Sequence, residues 1–483
     1  MLFNSIDFAL FLPLVFILYW FVTQRNLRLQ NLLIVAASYL FYGWWDWRFL
    51  SLIIFSTVVD YLIGRGMSKE ERIPRRKLLL CASIVVNLGF LGFFKYYNFF
   101  VDSFVDAFLF FGTEISTSSL DIILPVGISF YTFQTLSYTI DIYRRNLKPT
   151  EDFVAFSAFV CFFPQLVAGP IERATNLLPQ FHKKRVFDYG TAIDGMRQIL
   201  WGLFKKVVIA DNCAEFANEI FNNSADYNGS TLVIGAIFFT FQIYGDFSGY
   251  SDIAIGTSKL FGIKLKKNFA FPYFSRDISE FWRRWHISLS TWFRDYLYIP
   301  LGGSRGSTAK VIRNTFIIFI VSGFWHGANW TFVAWGALNA IYFLPLLLTK
   351  RNRRNMDRIP VRRFWLPSLR DGFSILLTFG MTVIAWIFFR ADSIAHAFSY
   401  LKTIFSRELI RTPFFNHESS LKNIIVLLGL FIIIEWIGKD QEYALEKLGL
   451  RWKAPFRYAM YYGIIIAIFW FGGSEQQFIY FQF

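Results

Sequence analysis

"FIIFIVSGFWHGANWTFVAWGALNAIYFLPLLL" runs from Phe316 to Leu348, 33 residues without one Asp, Glu, Lys or Arg. A transmembrane helix needs about 20 predominantly apolar residues, and this stretch is long enough for two only if it turns. Gly327, Ala328 and Asn329 supply the turn, and His326 stands on it. The basic flanks at Arg313 and Lys350 put both feet of the hairpin on one side. Counted from Arg313, the rising arm 314–326 has 13 residues, about 20 Å as a helix. It therefore predicts a tip, with His326 on it, that stops inside the bilayer.

The rest of the chain has the same character. It has 483 residues, of which 55% are hydrophobic, 20% aromatic and 17% charged, with 60 Phe. Soluble domains carry about a quarter charged residues. Runs such as "FALFLPLVFILYWFV" (8–22) and "NIIVLLGLFIIIEWI" (423–437) recur along its length. The expectation is an all-α polytopic membrane protein of about eleven spans. It forms one integral domain over residues 1–483, with no soluble domain and no internal repeat. The alternating ten-residue segments of a membrane β-barrel are absent. The first run has no basic n-region and no small-residue cleavage site, so it reads as a first span rather than a signal peptide. Cys81, Cys161 and Cys213 show no CxxC spacing, which argues against a disulfide framework or a zinc–cysteine site.

The formal charge of +15 raises the question of nucleic acid. The basic residues alternate with spans instead of forming one patch, so no nucleic-acid partner is expected and the lipid bilayer is the partner. Loops 64–77 ("GRGMSKEERIPRRK") and 350–363 ("KRNRRNMDRIPVRR") go to the cytoplasm by the positive-inside rule, while 98–121 and 214–230 have no Lys or Arg and go outside. Both termini are then extracytoplasmic. Segments 152–170 and 285–300 lie between basic loops, so each reads as re-entrant or interfacial.

Ionisable residues at membrane depth are costly and are functional candidates. His326 is one. It is either a general base, since imidazole titrates near neutrality, or a histidine bonded at a helix bend. His286 is the second, in "FWRRWHISLSTWFRDYLYIPLGG" (281–303). On a continuous helix it would share a face with Trp282, Leu289 and Ser290. Arg283, Arg284 and the tryptophans around it also suit an interfacial helix. Asp246 and Asp252 in "YGDFSGYSDIAIG" (244–256) are the third group. A buried carboxylate needs a cation such as Arg294, and Asp246 also suits a helix N-cap. Two histidines 40 residues apart are a weak zinc signal, and no metal is expected. "PLGGSRG" (300–306) is either a backbone anion cradle or a cytoplasmic turn. His182, His396 and His417 sit in polar surroundings and read as surface residues.

Taken together, the 281–303 and 322–336 motifs resemble the membrane-bound O-acyltransferases, and within them the alginate O-acetyltransferase branch. "ILPVGISFYTFQTLSYTIDIYR" (123–144), "FFPQLVAGPIERA" (162–174), "QIYGDFSGYSDIAIG" (242–256), "NFAFPYFSRDISEFW" (268–282) and the ending "FIYFQF" carry the same resemblance. It covers nearly the whole chain. It implies helices and re-entrant helices around a central tunnel, with the tunnel histidine at His326 and the second motif histidine at His286. It implies transfer of an acyl group, acetyl first, from a cytoplasmic thioester to an extracytoplasmic polysaccharide hydroxyl, in a bacterial inner membrane. His326 would be the general base and His286 would orient the donor or stabilise charge. Trp325 and Asn329 are candidate oxyanion donors. Arg283, Arg284, Arg294, Asp295, Ser290 and Asp246 are candidate donor-binding residues. The donor would be acetyl-coenzyme A or an acyl carrier protein, with no tightly bound cofactor. An extracytoplasmic acyltransferase partner would pass the group on, with the C-terminus as a docking element. The alternatives are D-alanyl or other acyl transfer to a cell-wall polymer, and a non-enzymatic transporter or scaffold of an exopolysaccharide complex.

Overall fold

The computed structural model describes all residues except 116–119, 168, 358, 360–365, 416, 417, 473–475 and 480–483, and the side chains of 418–420. His417 and the last four residues of the C-terminal docking element therefore lie outside the described residues. Among the described residues the elements are all helical. Six helical stretches are long and apolar enough to cross a bilayer: Leu27–Lys69, Ile73–Phe110, Gly229–Leu260, Trp330–Leu348, Leu369–Arg390 and Leu421–Gly438. Shorter apolar helices occupy Ile6–Val22 and Phe153–Leu166. This is a multi-pass membrane protein.

The chain forms two compact units, residues 1–195 with 257–266, and residues 196–256 with 267–483. In the first, local sequence explains the helix starts. Asn26 caps Leu27–Asp46 by accepting from Arg28 and Leu29 N–H groups at 3.0 and 3.2 Å. Segment 152–170 begins with Asp152 capping Phe153–Cys161 and breaks at Phe162, before the four-residue helix Phe163–Leu166. At 1.5 Å per residue neither piece crosses a bilayer core of about 30 Å. Arg185 is held by Gln30 Oε1 at 3.2 Å and by Asn31 Oδ1, between the rings of Tyr19 and Phe181. That buried guanidinium is stabilised by neutral amides and ring faces rather than by a carboxylate.

The second unit contains both candidate histidines. Its helices include Asp211–Asn222, residues 229–256 of Gly229–Leu260, Thr308–His326, Trp330–Leu348, Leu369–Arg390, Ile394–Ile404 and Ala454–Trp470. Segment 285–300 is the helix Ile287–Phe293 followed by a π-helical turn, Arg294–Tyr298, again too short to span.

Candidate active site

The hairpin forms as the sequence predicts, with one difference. Its rising helix is Thr308–His326, 19 residues rather than the 13 counted from Arg313. Ser307 accepts from Lys310 N–H at 3.4 Å and starts the helix six residues earlier than the apolar run. Its length is then about 28 Å, close to the roughly 30 Å of a bilayer core, so the short arm that predicted a tip inside the membrane is not what forms. The return helix Trp330–Leu348 starts at Asn329, whose Oδ1 accepts from Thr331 N–H at 3.0 Å. The two arms meet backbone to backbone. A Cβ added at Gly323 would sit 2.2 Å from Phe332 O, and one at Gly336 2.4 Å from Phe319 O. Only glycine fits that approach.

His326 ends the rising helix and is 3% exposed. Its ring lies 4.9 Å from Trp325, 5.2 Å from Trp335 and 5.3 Å from Phe389, centroid to centroid. His286 comes to the same place from another element. The continuous helix expected through it is broken: Ile278–Arg284 ends, and His286 takes a left-handed backbone (φ 44°, ψ 55°) before Ile287–Phe293. Trp282 is therefore not on its helical face, whereas Ser290 N–H still bonds His286 O at 3.0 Å. The break is stitched to a neighbouring strand of chain, where Ala270 N–H bonds Arg284 O and Ile287 N–H bonds Asn268 O, both at 2.9 Å. A left-handed non-glycine residue costs about 1–2 kcal/mol, so the surroundings impose it. It turns the 1% exposed imidazole toward Phe247 (4.6 Å), Trp325 (6.0 Å) and His326 (6.4 Å).

Beside the hairpin lies a cavity of about 780 Å³. Arg283, Arg294, Lys350 and Arg353 give it four cationic side chains, and Phe293, Ile318, Phe319 and Phe343 line it with apolar surface. Ser290 and Ser322 also line it. The cavity thus unites three donor-binding candidates, Arg283, Ser290 and Arg294. Arg283 is fixed by its own chain: Nη1 donates to Ser279 Oγ at 2.7 Å and Asn352 O at 3.1 Å, Nη2 to Asn355 O at 2.8 Å. Burial lowers its affinity for the proton, against the pull of Asp277 and Glu280. Arg294 pairs with Asp295 at 2.7 Å, and that bond raises the arginine's proton affinity. Arg284 points elsewhere, to Glu280 at 2.7 Å, in a second cavity of about 500 Å³ with Lys267, Lys439 and Glu442. A chain of rings, Trp282–Trp335 at 5.6 Å and Trp335–His326 at 5.2 Å, lies between the first cavity and His326. Asn329, a candidate oxyanion donor, has its amide committed: beyond the cap, Nδ2 donates to Asp392 O at 3.0 Å.

The aspartates correct the sequence reading. Arg294 does not serve Asp246. The partner is Lys206, 2.8 Å from Asp246 and 2.7 Å from Asp211, with all three side chains 5% exposed or less. Lys205 pairs with Asp252 at 2.6 Å. Asp246 is not an N-cap either, since it lies within Gly229–Leu260. Its Oδ2 accepts from Ile479 N–H at 2.6 Å, and Lys206 Nζ donates to Gln476 O at 3.0 Å. Phe478 is fully buried, its ring 4.3 Å from Tyr250 and 6.1 Å from Phe247. Residues 476–479 thus dock onto this unit, one ring removed from His286. The lysines were missed, though "ILWGLFKKVVIA" (199–210) sets two of them inside an apolar run, a signal that a carboxylate faces them. Of the other histidines, His182 is exposed and bonds Thr150 Oγ1 at 3.1 Å, and His396 bonds Ser224 Oγ at 3.0 Å.

The architecture so far defines a class: a helical multi-pass membrane protein with two buried, facing histidines beside a cavity lined in part by basic residues. The model of the MBOAT, membrane-bound O-acyltransferase, family matches residues 144–366. The chain is 40% identical over 448 residues to the probable alginate O-acetylase AlgI of Azotobacter vinelandii, covering 92% of this chain and 86% of that protein. It is 33% identical to the peptidoglycan O-acetyltransferase of Helicobacter pylori, covering 100% and 98%. Similarity to the teichoic acid D-alanyltransferase of Streptococcus thermophilus is 29% over 284 residues, 55% of this chain and 68% of that one. The chain belongs to the membrane-bound O-acyltransferase family, close to members named for alginate and peptidoglycan O-acetylation, and is an O-acyltransferase.

Proposed function

We propose that this protein moves an acetyl group from a cytoplasmic thioester to hydroxyls of an extracytoplasmic polysaccharide. The observation that carries the reading is the cavity, cationic at Arg283, Arg294, Lys350 and Arg353 and lined also by Ser322, one helical turn before His326. Arginine and lysine suit the phosphates of coenzyme A or of a carrier protein's prosthetic arm. The apolar middle suits the pantetheine chain. The route from there to the far face is the tunnel that the family resemblance implies. The membrane is the bacterial inner membrane, with both termini extracytoplasmic, and an extracytoplasmic partner relays the group.

In this reading His326 takes the proton of the attacking hydroxyl as its oxygen bonds to the thioester carbon. The C–S bond then breaks and the leaving thiolate takes the proton from His326, so none is gained or lost. His286, held neutral-faced among aromatic rings, orients the donor. Enclosure by Trp325, Trp335 and Phe389 keeps water from competing for the thioester. D-alanyl transfer is a weaker reading, because that similarity covers only 55% of the chain.

The test is transfer from radiolabelled acetyl-coenzyme A in proteoliposomes, with a charged acyl carrier protein as second donor and partner and polysaccharide added in turn. His326→Ala at matched folded protein is expected to lose about 10²–10⁴ in rate. Undiminished transfer would return His326 to a packing role.

A further inference from the structure

Thr308–His326 carries several hydroxyls, and they are used differently. Helical Ser and Thr usually bond back to the carbonyl four residues earlier. Thr315 does so, to Val311 O at 2.8 Å. Two other cavity hydroxyls are engaged as well: Ser279 Oγ donates to Asn352 O at 2.6 Å, and Ser290 Oγ to Trp285 O at 3.4 Å, whereas Ser304 and Thr308 are exposed. Ser322 lines the same cavity and is 7% exposed. Among the described residues its hydroxyl makes no hydrogen bond. It stands four residues before His326, so the two side chains lie on one face with Cβ atoms about 5–6 Å apart. His326 itself does not line the cavity, so Ser322 is the side chain on this face that a donor in the cavity meets.

We propose that the Ser322 hydroxyl binds the thioester carbonyl oxygen of the acyl donor and stabilises the oxyanion formed in the transfer. This rests on the donor entering by the cavity and on His326 as base. As the acceptor oxygen bonds to the carbonyl carbon, His326 takes its proton, and the carbonyl π electrons move onto oxygen. Ser322 O–H donates to that oxyanion. The carbonyl re-forms, the C–S bond breaks, and the thiolate takes the proton from His326. Ser322 keeps its own proton throughout. Its placement fills the role that Asn329 leaves open, since the Asn329 amide is bound to Thr331 N–H and Asp392 O. Ser322 follows Ile318 and Phe319 by one turn on the helix that lines the cavity. A donor carbonyl at that position meets a buried hydroxyl not already spent on the helix.

Two measurements test this. The first is acetyl transfer by wild type, Ser322→Ala, Ser322→Thr and His326→Ala. Ser322→Ala is expected to lose about 10²–10³ in kcat with KM nearly unchanged, the effect of removing one oxyanion donor. Ser322→Thr, which keeps the hydroxyl, should recover much of it, a rescue that a purely packing role would not give. The second measurement needs no turnover. Ser322→Cys is treated with a charged, membrane-impermeant thiol reagent, the label is located by mass spectrometry, and acetyl-coenzyme A is added as competitor. Labelling at position 322 that acetyl-coenzyme A suppresses supports the proposal. Absence of labelling, or labelling that acetyl-coenzyme A leaves unchanged, overturns it. Full activity in Ser322→Ala beside an inactive His326→Ala overturns the role of Ser322 and leaves the transfer reading standing. Full activity in His326→Ala overturns the transfer reading itself.

Discussion

Replacing Lys206 by Met should destabilise the protein more than replacing either of its acidic partners. Lys206 Nζ lies 2.7 Å from Asp211 and 2.8 Å from Asp246, and the three side chains are 1%, 5% and 3% exposed. Breaking a buried pair by removing one partner costs about 3–5 kcal/mol, because an uncompensated charge remains. Lys206→Met leaves two such carboxylates and also removes the donor to Gln476 O. Asp246→Asn leaves Lys206 paired with Asp211, and the Asn carbonyl can still accept from Ile479 N–H, so its cost should fall near the 1–3 kcal/mol of a lost charged hydrogen bond. The triple variant Lys206→Met, Asp211→Asn, Asp246→Asn carries no buried charge at this point and should regain most of the loss. Unfolding in mixed micelles, followed by tryptophan fluorescence, would rank the variants. The expected order of stability is wild type, then Asp246→Asn and the triple variant, with Lys206→Met lowest. Equal stability of Lys206→Met and wild type, or a triple variant no better than Lys206→Met, would refute the reasoning.

Gly323→Ala should push the hairpin arms apart, since its Cβ would meet Phe332 O at 2.2 Å. A lowered unfolding midpoint together with loss of transfer would show it, and a wild-type midpoint would contradict the close approach. Asn329→Ala should cost about 1 kcal/mol in stability through the lost cap but only a few-fold in kcat. A loss of a hundredfold or more would instead make Asn329 an oxyanion donor. Lys350→Gln with Arg353→Gln should raise KM for an anionic donor more than it lowers kcat, and the difference from wild type should shrink with added salt. A pure kcat effect, independent of salt, would remove these side chains from donor binding.

The sequence by itself determined what depends on local composition. Apolar runs, basic loops and the break at Gly327–Asn329 place the chain in a membrane and put His326 at the end of a helix. Hydrophobic transfer and helix length act through residues adjacent in the chain, so they can be read from it. The motifs at 281–303 and 322–336 likewise carried the family. Other features were settled only by tertiary structure. The left-handed turn at His286 is imposed by the bonds that Ile287 N–H donates to Asn268 O and Ala270 N–H donates to Arg284 O, and no local propensity in "RRWHIS" announces it. The apolar run around Lys205 and Lys206 signals that carboxylates face them, but only the fold says that these are Asp252, Asp211 and Asp246. Arg294, named from the sequence as a cation that could serve Asp246, is taken by its neighbour Asp295. Nor could spacing tell that Ser322 faces a cavity with its hydroxyl unspent while Asn329 is tied to Asp392. Electrostatic pairing and hydrogen bonding depend on distances of about 3 Å between groups far apart in sequence, and only the folded chain sets those distances.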